Sequence, residues 1–301
     1  MLRVAVVGGI NLDVFALVDR HPDDDHPALI SAVHDGLGGK GANQAAAAAR
    51  LGAQVRFLGA VGDDDDGVRA VDALAAAGVD CSKVRVSQSA PTGRVVGTVS
   101  ADGTKRTAAL GGANLRLRTG HVEAFEGAIV GSDLVLVQLE PPPEVVRLVL
   151  TIARDADVPA LLDIAPAQGP VRALFPLARW VTANHAEAEA ATGVAVRDEP
   201  TAREAATVMR AHDPEIAGVT VGGTGQLVAW AGGETWVVPD AATVVDTAGA
   251  GDAFAATLGV ALAEGVPPRE AATYASRASS LACRALGAQT SLPTREDLGW
   301  S

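Results

Sequence analysis

Six short apolar runs, Val4 to Val7, Val55 to Gly59, Leu134 to Gln138, Pro159 to Ile164, Trp180 to Ala183 and Gly218 to Val221, recur along the chain. Ala-rich segments of helical length lie between them. A run that is apolar at successive positions needs burial on both faces, and intervening helices supply that cover, so the pattern predicts an α/β fold around a parallel sheet. The segments "ANQAAAAARLG" and "GVRAVDALAAAGV" carry Gly52 and Gly78 where a helix ends and the next residue turns left-handed. Aromatic residues are only 3% of the 301, so Ala, Val and Leu must build the core.

Two regions break the alternation. One is roughly Asp13 to Gly36; the other is "TGRVVGTVSADGTKRTAAL", in which two β-leaning runs flank the turn "ADGT" at 101–104. Both fall in the N-terminal third, so they are expected to meet as a small second sheet, built from about 12–36 and 90–110, and a lid over a ligand site is a natural use for it. The acidic runs Asp23 to Asp25 and Asp63 to Asp66 read as solvated loop faces.

The net charge of −12 argues against nucleic acid or an anionic membrane as partner, since both need clustered Lys and Arg. Cys81 and Cys283 stand alone, without metal-ligand spacing, as in a reduced intracellular enzyme. The apolar opening "LRVAVVGGI" is shorter than a secretory leader and ends in a Gly-Gly turn, so a cytoplasmic protein is expected.

Five stretches carry chemistry. "GGKGANQAAAAARLG" (38–52) lets backbone approach a ligand and offers Asn43 at a helix start. "GGINLDV" delivers Asn11 and Asp13 at the end of the first strand, on one face of an extended segment, where one polyhydroxyl compound could meet both; an Asx turn is the alternative. In "TANHAEAEAATG" (182–193), Asn184 and Glu187 share a helix face and fit either the water shell of Mg²⁺ or a capping box. "VTVGGTGQ" (219–226) is a phosphate-binding turn or a hairpin. In "DTAGAGDAF" (246–254), a helix starting at Gly249, Ala250 and Gly251 would aim unpaired N–H groups at whatever lies in front, with Asp252 beside them as an N-terminal cap or a base.

In this order and at this separation, "GGKGAN", N-x-x-E and "DTAGAGD" resemble the motifs of the ribokinase-like (PfkB) carbohydrate and nucleoside kinases. The likeness runs to "GAQTSLP" at 287–293, and "QLE" (138–140) and "APA" (165–167) bring it nearest to the ribokinase branch. The resemblance implies a three-layer α/β/α fold with a β-sheet lid on a single kinase domain, 1–301. It implies ATP-dependent phosphorylation of a primary hydroxyl of an unphosphorylated sugar, ribose first, with a nucleoside or another sugar as the alternative acceptor and a non-catalytic sugar- or nucleotide-binding regulator as the rival from another class.

Residue by residue, it makes Asp252 the base and Gly249, Ala250 and Gly251 the anion hole. It places Asn11, Asp13, Gly39, Lys40, Asn43 and Glu140 at the sugar, Asn184 and Glu187 at Mg²⁺, and Asn184, Thr220, Gly222, Gly223, Gly225 and Gly251 along ATP. Asp246 and Ser291 fall where a monovalent cation, potassium, would sit. A homodimer is a further implication. "HPDDDHPALIS" (21–31) departs from the family's usual lid element, which bears on lid closure, dimerisation and substrate. A sugar-phosphate kinase would carry a basic residue at the place of Gly93; here the arginine is Arg94, on the opposite strand face.

Overall fold

The computed structural model describes residues 1–23, 25–100, 104–167, 169–239 and 244–300. In chain order the elements are β1 (Arg3–Val7), β2 (Asn11–Val18), β3 (Ile30–Gly38), α1 (Lys40–Arg50), β4 (Gln54–Leu58), β5 (Ala60–Gly62), α2 (Asp65–Ala76), β6 (Val79–Asp80), β7 (Arg85–Ser87), β8 (Arg94–Ser100) and β9 (Lys105–Leu110). Then come α3 (Thr119–Glu123), α4 (Glu126–Val130), β10 (Leu134–Val137), α5 (Pro143–Asp155), β11 (Ala160–Asp163), β12 (Trp180–Asn184), α6 (His185–Thr192), α7 (Glu199–Arg210), β13 (Ile216–Thr220), β14 (Gln226–Trp230), β15 (Gly233–Val237), α8 (Ala250–Ala263), α9 (Pro268–Ala282) and α10 (Arg295–Leu298).

Each of the six expected strands lies in one nine-stranded sheet, ordered β15-β14-β13-β12-β11-β10-β1-β4-β6. Pairing is parallel from β6 to β13, and only the β13–β14 and β14–β15 pairings are antiparallel, so β14 alone is reversed. The period of two is visible in the packing. Val4 and Val6 of β1 join Leu134, Leu136, Phe254 and Leu258 on one face, whereas Ala5 and Val7 join Val135, Val137, Val149 and Leu150 on the other. Helices on both faces complete a three-layer α/β/α structure, with α1, α8 and α9 on the first side and α5 and α7 on the second. Gly52 (φ 82°) and Gly78 (φ 90°) do follow the ends of α1 and α2.

The two interruptions meet as expected in a separate four-stranded sheet, β3-β2-β8-β9, with β8 and β9 an antiparallel pair. Residues 101–103 of the expected "ADGT" turn lie outside the described residues. His21 ties the unusual 21–31 segment to β8 through Thr98 Oγ1 (2.8 Å) and Ser100 Oγ (3.1 Å). The run Asp63 to Asp66 is not a purely solvated face. Asp64 caps α2 by accepting from the Gly67 N–H (2.8 Å) and accepts from the Thr92 N–H (2.8 Å), while Asp66 pairs with Arg94. Asp24, within the other run, lies outside the described residues.

Composition sets one further feature that matters for the site. The buried flank of α1 is almost all alanine (Ala42, Ala45, Ala46, Ala47, Ala48), and it packs in the same core as Ala253, Ala255 and Ala256 of α8. Methyl groups allow close helix approach, which brings the polar residues at the two N-termini within hydrogen-bonding reach.

Candidate active site

The chain leaves β1 through Gly8 and Gly9 and enters α1 through Gly39 and Gly41, and these glycines pack backbone on backbone. A Cβ on Gly8 would lie 2.6 Å from the Gly41 Cα, and one on Gly39 (φ 87°) would lie 2.7 Å from the Gly9 carbonyl oxygen. α1 has no side-chain cap of its own. Glu140, from the loop after β10, accepts the Lys40 N–H at 2.7 Å instead, and its other oxygen accepts from Asn11 Nδ2 at 3.5 Å. A carboxylate at a helix N-terminus is favoured by the helix dipole. Burial nevertheless pushes the Glu140 carboxyl up to about 7, with Lys40 opposing the shift.

Asp252 sits in the first turn of α8, behind Gly249 in the left-handed conformation (φ 76°), and is 5% exposed. Its carboxylate accepts from Asn43 Nδ2 (2.8 Å) and Gln44 Nε2 (3.3 Å) of α1. Burial raises its pKa, against the Lys40 charge and these two donors. Gln44 Nε2 also donates to Asp163 (2.9 Å), Gln138 Nε2 donates to Gln44 Oε1 (2.5 Å), and Asn43 Oδ1 accepts from Gln289 Nε2 (3.0 Å). Asp163 is fully enclosed, which raises its pKa, and Thr182 donates to it.

A carboxylate held by neutral donors, at a helix N-terminus and with an elevated proton affinity, is suited to taking a proton from a hydroxyl. At that same terminus the Ala250 N–H is directed at the Thr247 carbonyl (3.3 Å).

Three cavities surround this cluster. One of about 310 Å³ lies between the small sheet and the loops before α8 and after α9, lined by Asp13, Phe15, Lys105, Asp246, Ala248 and Gln289. A second, about 720 Å³, is lined by Asn11, Glu140, Leu110, Leu115, Leu139 and Leu174. The third, about 30 Å³, brings together Lys40, Asp163, Asn184, Glu187, Thr220 and Gly251. Asp13 lines the first cavity and Asn11 the second. Asn11 Oδ1 is turned to Asn114 Nδ2 (2.8 Å), and Asp13 Oδ1 to the Val95 N–H (3.2 Å). Burial lifts the Asp13 carboxyl to about 6.

Lys40 divides its functions. Its backbone N–H meets Glu140, and the residue also lines the cleft of Asn184 and Glu187. Burial draws its pKa down, but Asp252, Asp163, Glu187 and Glu140 more than offset this and raise it.

Asn184 and Glu187 form the reciprocal capping box, with both bonds at 2.9 Å. The box and a cation role do not exclude each other, because the box leaves them at the rim of the Lys40 cleft. No group of three or more His, Cys, Asp or Glu arranged for a metal ion occurs among the described residues. Gly222, Gly223 and Gly225 belong to the tight turn that joins antiparallel β13 and β14, so the hairpin reading holds there.

Asp246 and Ser291, expected at a monovalent cation, are both engaged. Asp246 pairs with Lys105 and accepts from the Ala248 (2.9 Å) and Gly287 (3.1 Å) N–H groups; the Ser291 hydroxyl donates to the Ala282 carbonyl (2.8 Å). A potassium ion at Asp246 would have to displace Lys105. Burial acts to raise the Asp246 pKa, but Lys105 and the two N–H donors outweigh it and lower it.

Sequence reading overlooked Gln44, Gln138, Asp163, Asn114 and Lys105. Gln44 and Gln138 stand inside stretches noted for other residues, and a polar residue within an otherwise apolar or all-Ala run was the available signal.

A model described as pfkB family carbohydrate kinase matches residues 1–295. The chain is 34% identical over 294 residues to the ribokinase of Haemophilus influenzae, covering 98% of this chain and 96% of that one. It is 35% identical over 298 residues to the bifunctional ribokinase/ribose-5-phosphate isomerase A of Fructilactobacillus sanfranciscensis, covering 98% of this chain and spanning only 55% of that protein. The structure of Arabidopsis thaliana ribokinase complexed with ribose and ATP is similar with a TM-score of 0.88 at 28% identity, over 99% of this chain and 97% of that one.

Proposed function

The chain belongs to the pfkB family of carbohydrate kinases, and on that premise we propose that it transfers the γ-phosphoryl group of ATP to a primary hydroxyl of ribose, giving ribose 5-phosphate. The observation that carries this reading is Asp252, buried at the N-terminus of α8 with Asn43 and Gln44 on its oxygens. Phosphoryl transfer asks for positioning and charge stabilisation more than covalent chemistry. In this reading Asp252 takes the hydroxyl proton, and the backbone at Gly249, Ala250 and Gly251 faces the transferring group at the positive end of the helix dipole. Asn11, Asp13, Gly39, Asn43 and Glu140 hold the sugar. Lys40 reaches toward the phosphates from the opposite cleft, and Thr220 with the turn Gly222, Gly223 and Gly225 lies along the nucleotide.

Mg²⁺ bound with ATP supplies charge neutralisation, and Asn184 and Glu187 would meet it through its water shell. The small sheet β3-β2-β8-β9 serves as the lid of one kinase domain. Its outer face carries the exposed Val33 and Val96, a surface on which two copies would pair as a homodimer. No helix of the described residues is long and apolar enough to cross a membrane, and the reading places the enzyme in the cytoplasm.

An unphosphorylated acceptor is supported by the lid's arginine: Arg94 pairs with Asp66 on α2, and at Gly93, where a basic side chain would be needed, a Cβ would stand 2.2 Å from Asn11 Oδ1 and displace it. A nucleoside acceptor is the second reading, favoured by the cavity of about 720 Å³ beside Asn11 and Glu140, whose leucine-rich wall exceeds the need of a pentose. The test is ADP release with ribose, fructose, fructose 6-phosphate, adenosine and pseudouridine. Ribose is expected to give the highest kcat/KM; preference for fructose 6-phosphate would overturn the reading, and preference for a nucleoside would select the second.

A further inference from the structure

Lys105 is the first residue of β9, in the small sheet, and its ammonium reaches across to the carboxylate of Asp246, in the loop before α8. The Asp246 side chain is 5% exposed and that of Lys105 28%, so the pair is shielded from solvent. Asp246 is at the same time the clamp of two backbone segments, since its two oxygens accept from the Ala248 and Gly287 N–H groups. Those segments touch: a Cβ on Gly249 would lie 2.4 Å from the Ala288 carbonyl oxygen. Gly249 is the residue from which α8 and Asp252 spring. The lysine is steered from its own sheet as well, with Nζ 4.8 Å from the centre of the Phe15 ring on β2.

We propose that Lys105 is a positioning residue for phosphoryl transfer: the lid delivers its ammonium to Asp246 as a resident cation, and the neutralised Asp246 fixes the backbone turn at the N-terminus of α8. The proposal rests on the kinase reading and adds a physical link between the acceptor side and the phosphate side of the site. A buried carboxylate without a counterion is costly, and it relaxes by taking a proton, by admitting another cation or by moving. Without Lys105, Asp246 would also set an uncompensated negative charge beside an arriving triphosphate. With it, an ordered turn coincides with a closed lid, which is when the reaction should run.

The test compares wild type, Lys105→Met and Lys105→Arg. Turnover is measured in potassium chloride and in tetramethylammonium chloride at equal ionic strength and saturating Mg²⁺. Hydrogen exchange is followed, without substrates, in peptides covering 244–250, 283–290 and 105–110. In tetramethylammonium, Lys105→Met is expected to lose kcat by about 10- to 100-fold with little change in the KM for ATP, because the turn is loosened and not the nucleotide contacts. Potassium should restore most of that loss by taking the ammonium's place, while wild type changes less than about twofold; Lys105→Arg should stay within about fivefold of wild type. Exchange in 244–250 and 283–290 should quicken by about tenfold in Lys105→Met and slow again with potassium.

Equal potassium activation of wild type and Lys105→Met, or unchanged exchange in the two loop peptides, would overturn the proposal. If wild type turns over none of the acceptors, the kinase reading fails by itself, and the exchange comparison still decides whether Lys105 orders the turn.

Discussion

Asp246 and Asp252 stand six residues apart on either side of one helix start, both nearly closed to solvent, yet they are tuned in opposite directions. Asp252 meets the amides of Asn43 and Gln44 near the Lys40 charge, and burial outweighs them and raises its proton affinity; Asp246 meets the ammonium of Lys105 directly and two backbone N–H groups, and these outweigh burial and lower it. Burial alone therefore assigns no role. The balance does: where burial outweighs the donors a carboxylate can accept a proton during a reaction, whereas a direct ion pair and a pair of N–H groups that outweigh burial fix it as a permanent charge.

The hardest blow to this contrast would come from Asp252→Asn. The asparagine keeps size and capping ability, so a purely structural Asp252 predicts near-normal turnover. As the base, its loss should lower kcat by roughly 10²- to 10⁴-fold while calorimetric affinities for ATP and ribose and the melting temperature stay near wild type. A variant that retains most of its kcat would refute the assignment.

Asp246→Asn should be milder, about 10- to 30-fold in kcat, because an amide can still accept from Ala248 but cannot hold Lys105. Unlike Lys105→Met, it should gain nothing from potassium, and a potassium response as large as that variant's would break the distinction between the two aspartates.

Gln44→Met removes a donor that holds the Asp252 proton affinity down, so the acid limb of the kcat profile should move to higher pH by about half a unit, with kcat reduced about three- to tenfold. An acid limb that stays put or moves to lower pH would disconnect Gln44 from the base.

Glu140 gives the smallest effect and extends the comparison to a third carboxylate of the Asp252 kind. With a folded-state pKa of about 7, above its ordinary value, it contributes stability at low pH that is lost as pH rises toward 7. Glu140→Gln keeps an acceptor for the Lys40 N–H and removes the titration, so its Tm relative to wild type should improve by about 1–3 °C between pH 5 and pH 8. A Tm difference independent of pH would mean that the carboxyl titrates as it does in the unfolded chain.

Much of the architecture was legible because it is local. The six apolar strands, the glycines after α1 and α2 and the β8–β9 hairpin each rest on a few neighbouring residues, and each is present. β14 and β15 went unread: "QLVAW" is a short buried run directly after the Gly-rich turn, and "GETWV", the edge strand, mixes polar and apolar residues and is mostly half-buried. Asp252, Asn43 and Asn184 could be singled out from motifs. What they touch could not, because Gln44 meets Asp252 across 208 residues and Lys105 meets Asp246 across 141.

The small sheet enters the chain as two excursions, one between β1 and α1 and the other between β7 and α3, and each returns to the core close to where it left. On the proposed reading, residues of these excursions that line the acceptor side, such as Phe15 and Val95, lie apart from the Ala-packed helices that hold Asn43 and Asp252 together. The fold keeps its chemistry and its choice of acceptor on separately editable stretches of chain, and Lys105 is the residue at which an edit to one would be felt by the other.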